Sequence, residues 1–139
     1  IQSELKKINI NLKIEITPPS ILRQGKANGK YNFFRASWIA DYPNPENYFD
    51  LFYSKNKTPN GPNYTYFMNK KYDSVYNNLK DKRSNIEKSF EILENIIYDF
   101  SPIIPLYYDM SIRLIDNNII GMSNNAINML NLEGVKKLW

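Results

Sequence analysis

The first forty residues alternate between segments of helical and of extended hydrophobic spacing. Residues 1–7 place apolar side chains at helical intervals, whereas residues 11–16 alternate Leu and Ile with charged positions, the two-residue period of a half-buried strand. Residues 20–27 favour a short helix that ends at an Asn-Gly pair, and residues 31–40 favour a second strand. The pattern predicts a helix, strand, helix, strand unit, and the strands of such units usually lie parallel in one sheet.

Beyond residue 40 the hydrophobic pattern is less regular. Residues 42–63 are rich in Pro, Asn, Gly and Tyr, which predicts irregular structure with one helical turn near residues 46–52. A modest helix is predicted over residues 71–79. A stronger one is predicted over residues 85–100, where apolar side chains form a single stripe behind a capping box of Ser84 and Glu87.

The last third of the chain predicts short extended segments. Residues 103–108 and 111–115 are apolar, β-branched and aromatic, and they are typical of a hairpin or a bent pair of strands. Residues 116–139 are rich in Asn and predict irregular structure with short strands. The elements together predict an α/β protein. The opening helix begins without a capping residue or an initiator Met, so we expect the chain to be part of a longer protein.

Composition excludes several classes of function. The chain contains no Cys and no His, which argues against disulfides, thiol nucleophiles, the usual zinc sites and the commonest general base. The formal charge is +4, but Lys and Arg are interleaved with Asp and Glu, so no nucleic-acid partner is predicted. No apolar run is long enough to suggest a membrane span. We expect neither a cofactor nor a bound metal.

The most informative segment reads RASWIADYPNPENYFDL, in which the second predicted strand ends on Asp41 before two prolines that cannot continue a ladder. On an alternating strand Asp41 shares a face with Arg35, Ser37 and Ile39, whereas Trp38 points the other way. A carboxylate and a guanidinium on one face match the two oppositely charged ends of a small zwitterionic ligand. On the residues alone, a solvated acid that begins a turn is the other interpretation of Asp41.

Four stretches, in this order, resemble the dipeptide and oligopeptide class of bacterial extracellular solute-binding proteins, which serve ABC importers and form solute-binding family 5. They are the Trp and Asp segment at residues 35–54, a Gly-Asn-Tyr and Tyr-Asp pattern at 61–73, a late helix with a Pro-Leu-Tyr and an Arg strand ending at 115, and the closing NMLNLEGVKKLW. The likeness covers nearly the whole chain, which would be about the last quarter of a mature protein.

The resemblance implies a fragment of a two-lobed, periplasmic-binding-protein-like clamp of the type II class. Residues 1–40 would then finish one lobe, and residues 41–139 would cross over and return to the other. The implied function is the capture of di- or oligopeptides in the cleft between the lobes, for delivery to a membrane permease and without catalysis. The implied location is periplasmic, or the extracellular face of the cytoplasmic membrane, with a lipid anchor on the part of the protein that precedes this chain.

The resemblance also implies roles for the residues of the Trp and Asp segment. Asp41 would hold the ligand's α-ammonium group, Arg35 would face its carboxylate end, and the backbone at Ser37 and Ile39 would pair with an extended peptide. Arg35 is equally interpretable as half of a structural ion pair, and Trp38 as a packing anchor instead of a pocket wall. Weaker candidates, more typical of a core or a lobe surface, are Asn63, Tyr64, Tyr107 and Tyr108.

Other functions stay open at this point. The same scaffold resembles receptors for nickel chelates and oligosaccharides, and the sequence departs from the family at Asn32 and Asp109, which leaves ligand preference undetermined. An aromatic-rich binding module that folds and acts alone is a further hypothesis. A carboxylate hydrolase using Asp41 and Glu46 is another, although nothing in the sequence indicates that two acids converge across a sugar.

Overall fold

The computed structural model describes residues 1–81, 85–110, 112–125 and 128–139. The chain divides into two compact units, residues 1–34 and residues 35–139. Each unit has its own helices. The predicted division between two lobes, near residue 40, stays a prediction.

The first unit contains the two helices that hydrophobic spacing predicts there. Helix α1 spans Gln2–Lys7 and helix α2 spans Pro19–Ala27, which begins with the Pro that suits the first turn of a helix. Gly25 of α2 is buried, and a Cβ at this position would lie 2.2 Å from the ring of Tyr31. The missing side chain therefore lets the ring of Tyr31 pack directly on the helix.

The predicted strands over residues 11–16 and 31–40 are not formed. Within the described ranges, the two strands are β1, Ile119–Ile120, and β2, Lys136–Lys137, and one isolated bridge pairs Lys57 with Asn63. Residues 103–108 and the described part of 111–115 are likewise outside any ladder; Ser111 lies outside the described residues. Hydrophobic alternation predicts which side chains share a face, but a strand also needs a neighbour that supplies hydrogen bonds. The described residues thus contain helices and a small antiparallel sheet, and the predicted parallel pairing is not formed among them.

The second unit opens with a short helix and two single turns. Helix α3, Glu46–Phe49, continues into a 3₁₀ turn over Asp50–Phe52, and a second 3₁₀ turn follows over Ser54–Asn56. This confirms the predicted helical turn near residues 46–52. Thr58 and Pro59 are joined by a cis peptide bond in the loop that comes next.

Two longer helices complete the second unit, as the sequence predicts. Helix α4 spans Lys70–Lys80 and helix α5 spans Ile86–Phe100. Each is capped by an Asn side chain: Asn69 Oδ1 accepts hydrogen bonds from the first turn of α4, and Asn85 Oδ1 accepts one from Lys88 N at 3.0 Å. Asn85 is therefore the N-cap of α5, and the Ser84 of the predicted capping box lies outside the described residues.

A short antiparallel pair lies near the end of the chain. Ile119 of β1 is opposite Lys137 of β2, and Ile120 is opposite Lys136. Gly121 follows β1 with a φ of +84°, a conformation that residues with a Cβ rarely adopt. The short strands predicted within residues 116–139 are confirmed.

The core of the second unit is a cluster of aromatic and aliphatic side chains held by α3, α4 and α5. Tyr72 and Tyr76 of α4 are fully buried, and their rings stack with centroids 6.3 Å apart. Phe49 of α3 stacks on Phe90 of α5 at 5.1 Å. Burial of such side chains contributes roughly 1.5–3 kcal/mol each, so this cluster is the main source of the unit's stability. Its buried members are Phe49, Phe52, Tyr53, Tyr72, Tyr76, Leu79, Leu93 and Ile96.

The phenol groups of the core are all hydrogen-bonded within this unit. The Tyr72 hydroxyl donates to the carbonyl oxygen of Phe49 at 2.7 Å, and the Tyr76 hydroxyl donates to Asp50 Oδ1. Burial, reinforced by the negative charge of Asp50, raises the pKa of Tyr72. Burial and the hydrogen bond to Asp50 raise the pKa of Tyr76. Both phenols stay protonated well above the pH at which an exposed tyrosine ionises.

The loop after the second 3₁₀ turn is organised by a buried amide. Asn63 is fully buried, and its Nδ2 donates to the carbonyl oxygens of Tyr53 at 3.2 Å and Phe67 at 2.9 Å. The backbone of the loop passes very close to itself at Gly61, where a Cβ would lie 2.6 Å from the carbonyl oxygen of Asn56. This close approach requires glycine.

We expect Gly61→Ala to lower the free energy of unfolding by about 2 kcal/mol, because the new methyl group would overlap the Asn56 backbone. Gly134→Ala is the matched control, since Gly134 has a φ of +78° but nothing within 4 Å of the added Cβ. It should cost about 1 kcal/mol through backbone strain alone. Urea unfolding of both variants measures the difference. A Gly61→Ala protein as stable as the Gly134→Ala protein would contradict the close approach.

We expect the free energy of unfolding to fall as the pH rises above 10.0, the ordinary pKa of the phenols of Tyr72 and Tyr76. Above that pH the unfolded chain releases protons that the folded chain keeps, so each phenol reduces stability by about 1.4 kcal/mol per pH unit. Below it, neither phenol contributes a pH dependence.

Tyr76→Phe should remove one of these two contributions and make the decline less steep. Tyr98→Phe is the control, because the Tyr98 side chain is 83% exposed. Denaturant unfolding between pH 8 and about 11.5 measures the slopes. If the Tyr76→Phe and Tyr98→Phe proteins lose stability at the same rate, the buried phenols are not the source.

Candidate functional site

The segment from Arg35 to Asp41 has the alternating exposure that the sequence predicts from Ser37 onward but not at Ala36, which is exposed, and the segment forms no ladder. Arg35, Ser37 and Ile39 are exposed, and so is Asp41, whereas Trp38 is half-buried. Ile39 is 71% exposed, a large value for an isoleucine. The four residues predicted to share a face therefore all lie at the surface of the second unit.

A buried residue that the sequence did not single out holds this segment in place. Asn47, only 3% exposed, accepts two hydrogen bonds at its Oδ1. One comes from the indole Nε1 of Trp38 at 2.7 Å and the other from the backbone N–H of Asp41 at 3.2 Å. The same oxygen thus joins both ends of the Trp-Ile-Ala-Asp stretch. Trp38 is half-buried with its indole hydrogen-bonded, and its role as a packing anchor or a pocket wall stays a prediction.

The chain between Asp41 and α3 is a compact turn that places Asn47. The backbone N–H of Asn44 donates to the Tyr42 carbonyl oxygen at 2.8 Å, and Asn44 Oδ1 accepts from Glu46 N at 2.9 Å. The backbone N–H of Asn47 donates to the Asn44 carbonyl oxygen at 3.1 Å. The sequence signal for this turn is Asn44, which lies between two prolines just before the helix. Asn commonly bonds to nearby backbone in such turns.

The carboxylate of Asp41 is exposed and has no hydrogen bond or ion pair to any residue within the described ranges. Its backbone N–H, in contrast, is bonded to Asn47. Glu46, the second acid of the hydrolase hypothesis, lies half-buried at the start of α3. The arrangement is a negative charge on an anchored main chain, open to a cationic partner.

Arg35 is bonded to a residue from the far end of the unit. Its Nη2 donates to the hydroxyl of Tyr107, and the guanidinium carbon lies 6.0 Å from the centre of the Tyr107 ring. This contact is a hydrogen bond with a cation–π component, and it differs from the ion pair considered from the sequence. A guanidinium has five N–H donors, so most of them are available to a second acceptor. The structure therefore brings Tyr107, a weaker candidate, into contact with Arg35.

The backbone at Ser37 and Ile39 has no hydrogen bond to any residue in the described part of the chain. The remaining candidates lie in different places. Asn63 belongs to the core loop, Tyr64 is half-buried beside it, and Tyr108 is fully exposed. A concavity in the first unit, lined by Lys6, Asn9, Ile10 and Asn11, includes none of the predicted site residues.

Two comparisons show what this chain is similar to. Residues 1–60 match the model of the bacterial extracellular solute-binding proteins, family 5 Middle. The chain is also similar to the dipeptide-binding protein DppE of Bacillus subtilis (strain 168), with 23% identity over 141 residues, covering 99% of this chain and 25% of the relative. Both findings agree with the resemblance of this sequence to family 5 of the bacterial extracellular solute-binding proteins.

The chain spans about a quarter of the length of the curated relative that it matches. The lobes, the cleft and the partners of a whole solute-binding protein therefore enter as proposals. Across the described ranges, every helix is too short or too polar to cross a lipid bilayer.

Proposed function

We propose that the protein carrying this chain is the substrate-binding component of an ABC importer that captures di- or oligopeptides and delivers them to a membrane permease. The observation that carries this proposal is the Asp41 carboxylate, exposed and unpaired within the described ranges, on a main chain that Asn47 anchors. The match of residues 1–60 to the family model and the similarity to a dipeptide-binding protein support it.

Asp41 provides the charge that the α-ammonium group of a peptide needs. A carboxylate and an ammonium attract weakly in bulk water and much more strongly once the surrounding groups exclude it. In the proposed mechanism a ligand docks against Asp41 and closure of the two lobes removes water from the pair. The ligand then stabilises the closed form by binding it better than the open form. No covalent bond changes.

Arg35 provides the complementary charge for the carboxylate end of a short peptide. The guanidinium is planar and presents its donors in a fork that matches a carboxylate. Tyr107 accepts one of these donors and lies against the guanidinium, which limits the orientations of a long side chain. Such a constraint reduces the entropy lost when a ligand binds.

The backbone of Ser37 and Ile39, which has no hydrogen bond to the described residues, suits the main chain of an extended peptide. Hydrogen bonds between main chains do not depend on side-chain identity, so one receptor accepts many sequences. Ile39, exposed on the same stretch, offers apolar contact area to a ligand side chain. The spacing of the two charges would then select the length of the peptide, and the identity of its side chains would have little effect on binding.

The family's description as extracellular supports a periplasmic location, or one on the outer face of the cytoplasmic membrane. A lipid anchor on another part of the protein is included in the proposal.

Binding requires neither a cofactor nor a metal in this mechanism. No contact among the described residues favours a nickel chelate, an oligosaccharide or a stand-alone module over a peptide. Mass spectrometry of the ligand retained by the native protein distinguishes these solutes.

We expect Asp41→Asn to weaken binding of a free-amine tripeptide by roughly 10- to 100-fold, because it removes a charge-assisted pair of about 1.5–3 kcal/mol. Affinity for the N-acetylated tripeptide, which has no ammonium group, should change little. Calorimetric titration of the intact protein measures both. The control is Asp99→Asn, which makes the same charge change on the exposed surface of α5. Equal affinities for the free-amine peptide before and after the Asp41 substitution would remove the proposed role.

We expect Arg35→Met to weaken binding of the same tripeptide by roughly 10-fold or more, through loss of the guanidinium donors. A tripeptide with a C-terminal amide should be bound with nearly the same affinity by both proteins. The control is Arg23→Met, on the exposed surface of α2. If the acid and the amide lose affinity equally, Arg35 supports the fold instead of the ligand's carboxylate.

A further inference from the structure

We propose that Asn47 is a positioning residue for ligand recognition, because its single amide oxygen sets the direction in which Asp41 presents its carboxylate. This inference rests on the proposed function, since it assigns a task to a residue next to the proposed ammonium site. Asn47 itself is buried and does not contact the ligand in this scheme.

The identity of the bonding atom follows from its two partners. An indole Nε1–H and a backbone N–H are donors and never acceptors, so the atom between Trp38 and Asp41 must be the oxygen of the Asn47 amide. The side chain therefore has one orientation. An apolar residue of the same size would leave both donors, one of them on Trp38, without this acceptor.

The position of that oxygen is determined by the core. The backbone N–H of Asn47 is bonded to the Asn44 carbonyl oxygen, and two residues later Phe49 stacks on Phe90 of α5. The Phe49 carbonyl oxygen in turn accepts the hydroxyl of the fully buried Tyr72. Helix α3 is thus attached to both long helices, and Asn47 extends that rigid framework to residues 38–41.

The extended stretch has few other restraints. Ser37 and Ile39 have no backbone hydrogen bond to the described residues, so the position of Asp41 depends on the Asn47 oxygen and on the turn that follows. With its backbone held, the Asp41 side chain has two remaining torsions to order when an ammonium binds. Loss of the Asn47 acceptor adds backbone freedom that the ligand must then remove, which lowers affinity.

The test is Asn47→Leu in the intact protein, which conserves side-chain shape and removes the acceptor. We expect the preference for a free-amine tripeptide over its N-acetylated form to fall roughly 10-fold, the worth of about one hydrogen bond. Affinity for the N-acetylated form should fall less, because that form makes no ammonium contact with Asp41. On an Asp41→Asn background the same substitution should lower both affinities equally and leave their ratio unchanged. An unchanged preference in Asn47→Leu, with Asp41→Asn still losing it, overturns this inference and leaves the proposed function standing.

The variant Asn63→Leu tests whether general destabilisation alone lowers the preference for the free amine. Asn63 is another buried Asn whose amide bonds to backbone, but its amide donates to Tyr53 and Phe67 instead of residues 35–41. We expect this variant to melt at a lower temperature and to keep the preference for the free amine. If Asn63→Leu loses the preference as Asn47→Leu does, the positioning role is overturned.

A spectroscopic measurement without ligand completes the test. The indole N–H of Trp38 should exchange with solvent faster in Asn47→Leu, whereas that of Trp139, already fully exposed, should not change. Asn47→Asp retains an acceptor oxygen and should restore both slow exchange and the preference for the free amine. Slow Trp38 exchange in Asn47→Leu, or failure of Asn47→Asp to restore the preference in a folded protein, overturns the inference. An Asp41→Asn protein that binds the free-amine tripeptide normally contradicts the proposed function itself.

Discussion

The attachment of α3 to α4 through two buried phenols is the constraint on which the rest of the second unit depends. The hydroxyl of Tyr72 bonds to the backbone of Phe49, and that of Tyr76 bonds to the carboxylate of Asp50. Asp50 Oδ1 also accepts from Asn56 Nδ2 at 2.9 Å and lies 3.4 Å from Lys80 Nζ. A half-buried carboxylate with three donors is well satisfied, and it joins the end of α3, the next turn and α4.

The rigidity of this cluster reaches the candidate site through a short series of contacts. Phe49 is in the core, Asn47 precedes it by two residues, and the Asn47 oxygen holds Trp38 and Asp41. Binding groups on such an arrangement keep their backbone position while their charged ends stay in water. That combination suits a receptor, because an ordered site loses less entropy when a ligand arrives.

The proposed recognition uses few side chains, which is consistent with a receptor of broad specificity. In the proposal, two charges define the ends of the ligand, and the backbone of Ser37 and Ile39, unbonded among the described residues, accepts its middle. The family model matches residues 1–60, and this range contains every residue from Arg35 to Asn47. The proposed site is thus within the region that the family comparison covers. Tyr107, which orients Arg35, comes from outside that region.

The helices were predictable from the sequence alone, since their apolar spacing and their flanking Asn, Pro and Gly residues act locally; α4 and α5 lie within one residue of prediction. The alternating exposure of residues 37–41 was also predictable, because it follows from the two-residue period of extended chain, whereas the exposure of Ala36 departs from that period. Strand pairing was not, because a ladder depends on a neighbour that spacing does not specify. Likewise, only the tertiary structure shows that Asn47 bonds Trp38 and Asp41 and that Tyr107 bonds Arg35, since these contacts join residues whose separation along the chain carries no periodic signal.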